Sequence, residues 1–250
     1  MSGRPVVHCI DLGHIPFGQA WKVQEKYFNA LIDRKRRNRK LSHSEKEPLE
    51  HFLLLCEHPH VYTLGRSGDE ANLLISQEEL KQKGIEYYPI NRGGDITYHG
   101  PGQIVGYPIL DLDEFTTDIH EYLRRLEEVI IRMLSIYGLK GERSNGETGV
   151  WFDVGSSKAR KVCAMGIKAS RWVTMHGWAL NHDVDLRYFD YIVPCGITDK
   201  AVASMHQELE VLPGRMEVQQ ELLGHFEDVF NCSCQWQSDS SNGPSSSPYS

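Results

Sequence analysis

Apolar and polar positions along the chain switch repeatedly between two periods. Val6 to Leu12 reads as a first strand. Pro16 then opens a helix, because its fixed φ suits a first turn, and Trp21, Gln24, Tyr27, Phe28 and Leu31 follow at helical spacing. Phe52-Leu53-Leu54-Leu55-Cys56 is apolar without a break, as in a strand covered on both faces. His58-Pro59-His60 turns the chain, and Val61-Tyr62-Thr63-Leu64 extends again. Ser76 with Glu79 three residues on marks a capped short helix that ends near Gly84, and Ile85 to Ile90 is the next strand. Asp118 with Glu121 starts a longer helix, whose Ile119, Tyr122, Leu123, Leu126, Val129, Ile130 and Met133 stripe one face until Gly138. Gly149 to Phe152 and Arg160 to Lys168 predict a hairpin around Gly155-Ser156-Ser157, and Met175 to Asn181 a further strand. Val218, Leu222, Phe226 and Val229 place a last amphipathic helix. Strands and helices interleave with no repeat or clear linker. The expected fold is therefore α/β (α+β), one domain over 1–237 with a mixed β-sheet and flanking helices. The Ser-rich stretch 238–250 is expected to be disordered.

One stretch breaks both periods. Arg92-Gly93-Gly94-Asp95-Ile96-Thr97-Tyr98-His99-Gly100-Pro101-Gly102-Gln103 holds four glycines and a proline, with strand-like residues on either side. Glycine permits positive φ and close approach of a backbone or a ligand, and proline fixes a turn. The stretch is either a plain glycine hairpin or a cradle in which a cationic Arg92, His99 and bare main-chain N–H groups meet a small or chain-like ligand.

The bulk numbers narrow the classes. Apolar content of 40% and charged content of 24% are those of an ordinary soluble globular protein. No apolar run reaches membrane-spanning length, and Met1 to Pro5 lacks the apolar core of a secretory leader. A net charge of −7 argues against nucleic acid as the main partner. Arg34-Lys35-Arg36-Arg37-Asn38-Arg39-Lys40 opposes that balance with six of the 27 basic residues. It reads as a basic loop over 34–47, either solvated or a docking patch for an acidic protein. Six cysteines scattered over the length are too sparse for a disulfide scaffold, so reduced thiols and a cytoplasmic setting are expected. Cys232-x-Cys234 with His225 lacks a second ligand pair, and no metal is expected.

Three further places carry chemistry. In Val193-Pro194-Cys195-Gly196-Ile197 a cysteine sits on a proline–glycine corner. It is either a small buried apolar residue or a nucleophile. Lys161 enters an alternating stretch, Arg160 to Gly166, and can face either way. If it points inward it needs an anion, which a thiolate would supply; an adjacent ammonium in turn favours the thiolate. His99 and His176 each precede a glycine, a matching setting that points to a shared pocket.

Taken together, Arg92-Gly93-Gly94, Thr97 to Gln103, Gly149-Val150-Trp151, Arg160 to Gly166, His176-Gly177-Trp178-Ala179-Leu180-Asn181 and Pro194-Cys195-Gly196 closely resemble lipoyl(octanoyl) transferases. The resemblance runs in order from about Val6 to Leu209. It implies a fold similar to the catalytic modules of biotin protein ligases and lipoate–protein ligases. It also implies transfer of an octanoyl group from octanoyl-acyl carrier protein to a lysine of lipoyl domains or of glycine cleavage H protein. By that resemblance Cys195 is the acyl-thioester nucleophile and Lys161 lowers its pKa. The implied substrate contacts are Arg92, Gly93, Gly94, Asp95, Ile96, Thr97, Tyr98 and His99, then Ala164, Met165 and Gly166, then Gly177, Trp178 and Ala179. No cofactor, nucleic acid or membrane is implied. The chemistry is self-sufficient, since one thioester is traded for another and then for an amide, and no Walker-type phosphate loop is present. The alternatives are an ATP-dependent lipoate–protein ligase on the same fold, a non-catalytic acyl-carrier-binding module, and a hydrolytic thioesterase. The 34–47 insert and the Ser-rich tail lie outside the resemblance.

Overall fold

The unbroken apolar run around Leu53 becomes a strand near the middle of a nine-stranded sheet covered by helices on both faces. The computed structural model describes residues 3–193 and 201–237. Pro194 to Ile197, with Cys195, and the Ser-rich tail lie outside the described residues. The elements run β1 (Val6–His14), α1 (Phe17–Asn38), β2 (His51–Glu57), β3 (Val61–Leu64), α2 (Gln77–Gln82), β4 (Glu86–Pro89), β5 (Ile96–His99) and β6 (Gln103–Ile109). They continue with α3 (Ile119–Ile136), β7 (Glu142–Arg143), β8 (Val150–Phe152), β9 (Arg160–Ser170), β10 (Val173–Asn181), β11 (Ala201–Val202), α4 (Met205–Glu208), α5 (Arg215–Phe230) and β12 (Ser233–Trp236).

The large sheet has the order β12-β1-β2-β6-β10-β9-β8-β7, with β11 added alongside β9. β1 pairs in parallel with β2 and β12, whereas β2–β6–β10–β9–β8–β7 is antiparallel throughout. Side chains alternate between two cores. On β2, Leu53 and Leu55 join Leu126, Ile130 and Phe226 beneath α3 and α5, while Leu54 and Cys56 join Phe28 and Leu31 beneath α1. Both faces are covered, so no position on this strand has to be polar. A second sheet, β4-β3-β5, packs its own core of Tyr62, Leu80, Ile85, Ile96 and Tyr98. Local signals act as expected: Asp118 caps α3 by accepting from His120 and Glu121 N–H at 2.8 and 3.1 Å, and Ser76 with Glu79 forms the capping box of α2.

Three features differ from the pattern in the sequence. The glycine-rich stretch is no hairpin: β5 belongs to the small sheet and β6 to the large one, and Gly100-Pro101-Gly102 carries the chain between them. β12 follows α5 at once, because Asn231 rather than a glycine takes the left-handed cap at φ 51°, so no stop signal separates the two. The segment 34–47 is a loop only in part. α1 runs on to Asn38, and a 3₁₀ turn spans His43–Glu45. The basic run is stable as a helix end because cations there oppose the helix dipole and because its charges are matched nearby. Arg34 lies 2.5 Å from Glu50, Arg37 3.5 Å from Glu47 and Arg36 3.6 Å from Asp33. Lys35 is buried, with Nζ 2.5 Å from Asp111, 2.8 Å from Asp113 and donating to the Arg171 carbonyl at 2.8 Å. Burial pushes the Asp111 carboxyl up, and the bonds from Lys35 and the Asp113 N–H pull it back.

Among the described residues no helix is long and apolar enough to cross a membrane. Removing one partner of a buried ion pair strands the other, at a cost of about 3–5 kcal/mol. Lys35→Ala is therefore expected to lose that much stability in urea unfolding, and exposed Arg36→Ala less than about 0.5 kcal/mol. A Lys35→Ala protein as stable as its parent would show that the pair does not hold α1 to the sheet.

Candidate active site

Segments far apart in sequence converge on one cavity of about 580 Å³ that reaches from α1 to α3. Strands β9 and β10 form its floor. Their register sets Gly166 opposite Gly177, Met165 opposite Trp178 and Ala164 opposite Ala179, and all six line the cavity. The glycine-rich stretch forms a wall, with Arg92, Gly93, Gly94, Asp95, Ile96, Thr97 and His99 contributing. Gly93 N–H donates to the Ile167 carbonyl at 2.8 Å and sews this wall to β9. A Cβ on Gly166 would lie 2.9 Å from the Gly93 carbonyl oxygen, so the approach needs a bare α-carbon. Between Arg92 and His99, Tyr98 alone does not line the cavity: its ring stacks on Tyr188 in the small-sheet core and its hydroxyl lies 2.7 Å from His60 Nδ1.

Arg92 is buried, and its Nη2 donates to the Thr63 carbonyl at 2.7 Å and to Thr63 Oγ1 at 3.0 Å. Its cationic side chain is thus fixed in the cavity wall. Asp95 accepts from Asn72 Nδ2 at 2.6 Å and from the Ile96 N–H at 2.6 Å, which braces the turn.

Lys161 faces the cavity because of a β-bulge. Val150 pairs with Cys163 and Trp151 with Lys161, so Val162 is an extra residue on β9. Val162 and Cys163 both enter the core beneath α3, and Lys161 falls on the side of Ala164 and Gly166. The simple alternation of Lys161 with Cys163 and Met165 does not hold. Lys161 Nζ lies 4.5 Å from the Trp151 ring centroid. Burial pushes the thiols of Cys56 and Cys163 up, which leaves them as packing residues.

Cys195 itself lies outside the described residues; of the two flanks of its segment, one lines the cavity and the other is bonded to a residue that braces its wall. On one side Val193 N–H donates to the Asn72 carbonyl at 2.8 Å, and Asn72 holds Asp95. On the other, Ala201 and Val202 line the cavity and pair with Arg160 and Lys161, and Ala203 N–H donates to the Lys161 carbonyl at 2.9 Å.

His99 and His176 do share the pocket. Asn181 Nδ2 donates to the Ala203 carbonyl at 2.9 Å, and Gln103 Nε2 donates to Asn181 Oδ1 at 2.9 Å. Gln103 Oε1 then faces His99 Nδ1 at 3.2 Å, so that nitrogen carries the proton and Nε2 is the acceptor. His176 holds a left-handed backbone, φ 61°, and its N–H donates to Gln24 Oε1 on α1 at 3.0 Å. Burial pushes His176 down to about 3 and His99 well below the usual imidazole range, so both are neutral at physiological pH. Among the described residues no group of three His, Cys, Asp or Glu side chains is arranged to hold a metal ion.

Several cavity residues carry no signal in the sequence. Phe17 reaches it from α1, and Leu123 with Ile119, which also packs against the core, extends the apolar stripe of α3 into the cavity. Gly146, Glu147 and Thr148 line it from an irregular loop, where only the flanking glycines mark a special conformation.

Comparison with known proteins places the sequence and the fold. The family described as Lipoyl protein ligase A/B catalytic domain matches residues 20–227. An octanoyltransferase of Christiangramia forsetii is 58% identical over 232 residues, 92% of this chain and 98% of its own. An octanoyltransferase of Flavobacterium psychrophilum is 56% identical over 89% of this chain and 95% of its own. In fold, the chain overlays a lipoate-protein ligase A bound with ATP at a TM-score of 0.64, with 15% identity over 96% of this chain and 90% of that one. A Thermoplasma acidophilum structure of a bi-partite lipoate protein ligase and its E2 lipoyl domain gives a TM-score of 0.65 at 18% identity over 96% and 88%. The distant ligases share the architecture, the near relatives share more than half of the sequence almost end to end, and the chain belongs to the octanoyltransferases of the lipoyl protein ligase A/B catalytic-domain family.

Proposed function

We propose that this protein transfers an octanoyl group from octanoyl-acyl carrier protein to a lysine of lipoyl domains, through a thioester on Cys195. The acceptors are lipoyl domains of 2-oxoacid dehydrogenases and glycine cleavage H protein. The observation that carries this reading is the pairing of Lys161 with the Ala201–Ala203 flank of the Cys195 segment on a cavity walled by the glycine-rich stretch. Near relatives named octanoyltransferase support the same acyl group.

The proton count closes without a cofactor. At rest Cys195 is a thiolate beside the Lys161 ammonium. The thiolate attacks the carrier thioester carbonyl; the carrier sulfur leaves and takes a proton from Lys161. The acceptor lysine then enters as a neutral amine and attacks the Cys195 thioester. Its surplus proton returns to Lys161, the amide forms and the thiolate is restored. Main-chain N–H groups of the glycine-rich wall other than that of Gly93, which is bonded to Ile167, serve the oxyanion. The neutral histidines act as hydrogen-bonding wall groups, since their depressed basicity suits them poorly to take a proton. The octanoyl tail lies along apolar surface from residues such as Phe17, Ile90 and Leu123, at ~0.8 kcal/mol per buried CH₂. Free thiols at Cys9, Cys56, Cys163, Cys232 and Cys234 support a reducing, cytoplasmic setting.

The fold shared with lipoate ligases favours one second reading, ATP-dependent ligation, in which Cys195 has no covalent role. Mixing the protein with octanoyl-carrier protein and weighing it intact separates the two. An octanoyl adduct on the parent and none on Cys195→Ser, together with loss of nearly all transfer, is the expected result; an active Cys195→Ser enzyme removes the thioester from the mechanism. Lys161→Ala is expected to move the pH midpoint of Cys195 alkylation up toward that of a free thiol, near ~8.5. An unchanged midpoint would separate the two residues.

Three buried histidines also set a pH limit on the fold. His58 is held down to about 4 and His176 to about 3, and His99 lies well below the usual range, all chiefly through burial. Unfolded, each binds its proton near pH ~6.5, so between that pH and the folded values the unfolded state holds more protons. Stability is therefore expected to fall as pH drops from about 6.5 toward 4, by about 1.4 kcal/mol per unit for each histidine. Urea midpoints that stay constant from pH 7 to about 5 would contradict these assignments.

A further inference from the structure

The buried face of α3 is apolar except at Glu127, which has no exposed surface. A carboxylate in such a place is costly unless it is paired. Its partners lie at the two ends of one loop. Oε1 accepts the Gly149 N–H at 2.9 Å, at the entry to β8. Oε2 lies 3.3 Å from Arg143 Nε on β7, and 2.9 Å from Arg124 on the preceding turn of α3. The Arg143 guanidinium also donates to Glu128 at 2.6 Å and to the Arg124 carbonyl at 3.0 Å, so this end is anchored to α3 by several bonds. Burial raises the Glu127 carboxyl, and the Gly149 N–H and both guanidiniums oppose that rise.

The loop between these ends is a cavity wall, through Gly146, Glu147 and Thr148. Gly149 stands at φ 115°, where a Cβ would lie 2.5 Å from the Cys163 carbonyl oxygen and 3.6 Å from Lys161 Cδ. The main chain that Glu127 holds through the Gly149 N–H therefore passes close beside the Lys161 stem. Two residues on, Trp151 offers its ring to the Lys161 ammonium at 4.5 Å.

We infer that Glu127 is a positioning residue for acyl transfer: its carboxylate clasps both ends of the 143–149 loop and so aims the Lys161 side chain between Gly149 and Trp151. The inference rests on the role given to Lys161 above. It explains why a charged side chain occupies an otherwise apolar helix face.

Glu127→Gln keeps an oxygen for the Gly149 N–H but removes the charge that Arg143 and Arg124 face. Arg143→Gln removes the other half of the clasp from a partly exposed site. Both are assayed for octanoyl transfer from octanoyl-carrier protein to a lipoyl domain, with melting temperature measured alongside. A misaimed group slows the chemical step and leaves ground-state binding intact. The expected result for Glu127→Gln is a kcat lower by roughly tenfold or more with both KM values within about threefold of the parent. Arg143→Gln is expected to move kcat in the same direction by a smaller factor. The clasp is overturned if both variants keep kcat within about twofold of the parent, or if the loss is confined to KM. If Glu127→Gln does not fold, Arg143→Gln decides alone by the same criteria. A parent protein with no octanoyl transfer activity would refute the proposed function instead, whatever the variants do.

Discussion

The cavity exists because two sheets are joined by main-chain contact. Gly93 N–H reaches the Ile167 carbonyl, and the bare α-carbon of Gly166 leaves room for the Gly93 carbonyl and the Arg92 stem. Every other feature of the site is placed relative to this seam. The small sheet brings Arg92 and Asp95 to one side of it, and the long β9–β10 hairpin brings Lys161 and His176 to the other. A larger residue at the seam would force the sheets apart, because backbone atoms cannot swing aside as side chains do.

Much of this arrangement was legible in the residues themselves. Periodicity located the long helices and the central strands because a buried face leaves a regular trace, as it does for Leu126 and Ile130 on α3. The glycine-rich stretch declared itself as a special backbone region for the same reason, since glycines pay off only where the chain must be bare. What stayed hidden depends on long-range pairing. The bulge that turns Lys161 inward is a matter of register between β8 and β9, and nothing in Arg160 to Gly166 announces it. The partners of Lys35 at Asp111 and Asp113 lie more than seventy residues away, so a basic run that looks solvated conceals a buried cation. Glu127 was invisible for a related reason: one acid within an apolar stripe looks like a lapse in the pattern until Gly149 and Arg143 are found beside it.

The electrostatic character of the cavity follows from the different bases buried in its wall. The Arg92 guanidinium is held by Thr63, whereas His99 and His176 are neutral because burial outweighs the bonds they make. Cations on rigid supports and neutral imidazoles along the walls suit an uncharged acyl chain whose carbonyl gathers negative charge only during reaction.

α1 links the cavity to a remote anchor. Its first residue, Phe17, lines the pocket, Gln24 holds the His176 backbone, and Lys35 is fixed near its far end. Eighteen residues of helix separate Phe17 from Lys35, about 27 Å. With the anchor as pivot, one degree of tilt would swing the phenyl ring by about half an ångström. The buried ammonium thus fixes the far end of a long rod whose near end forms one side of the slot.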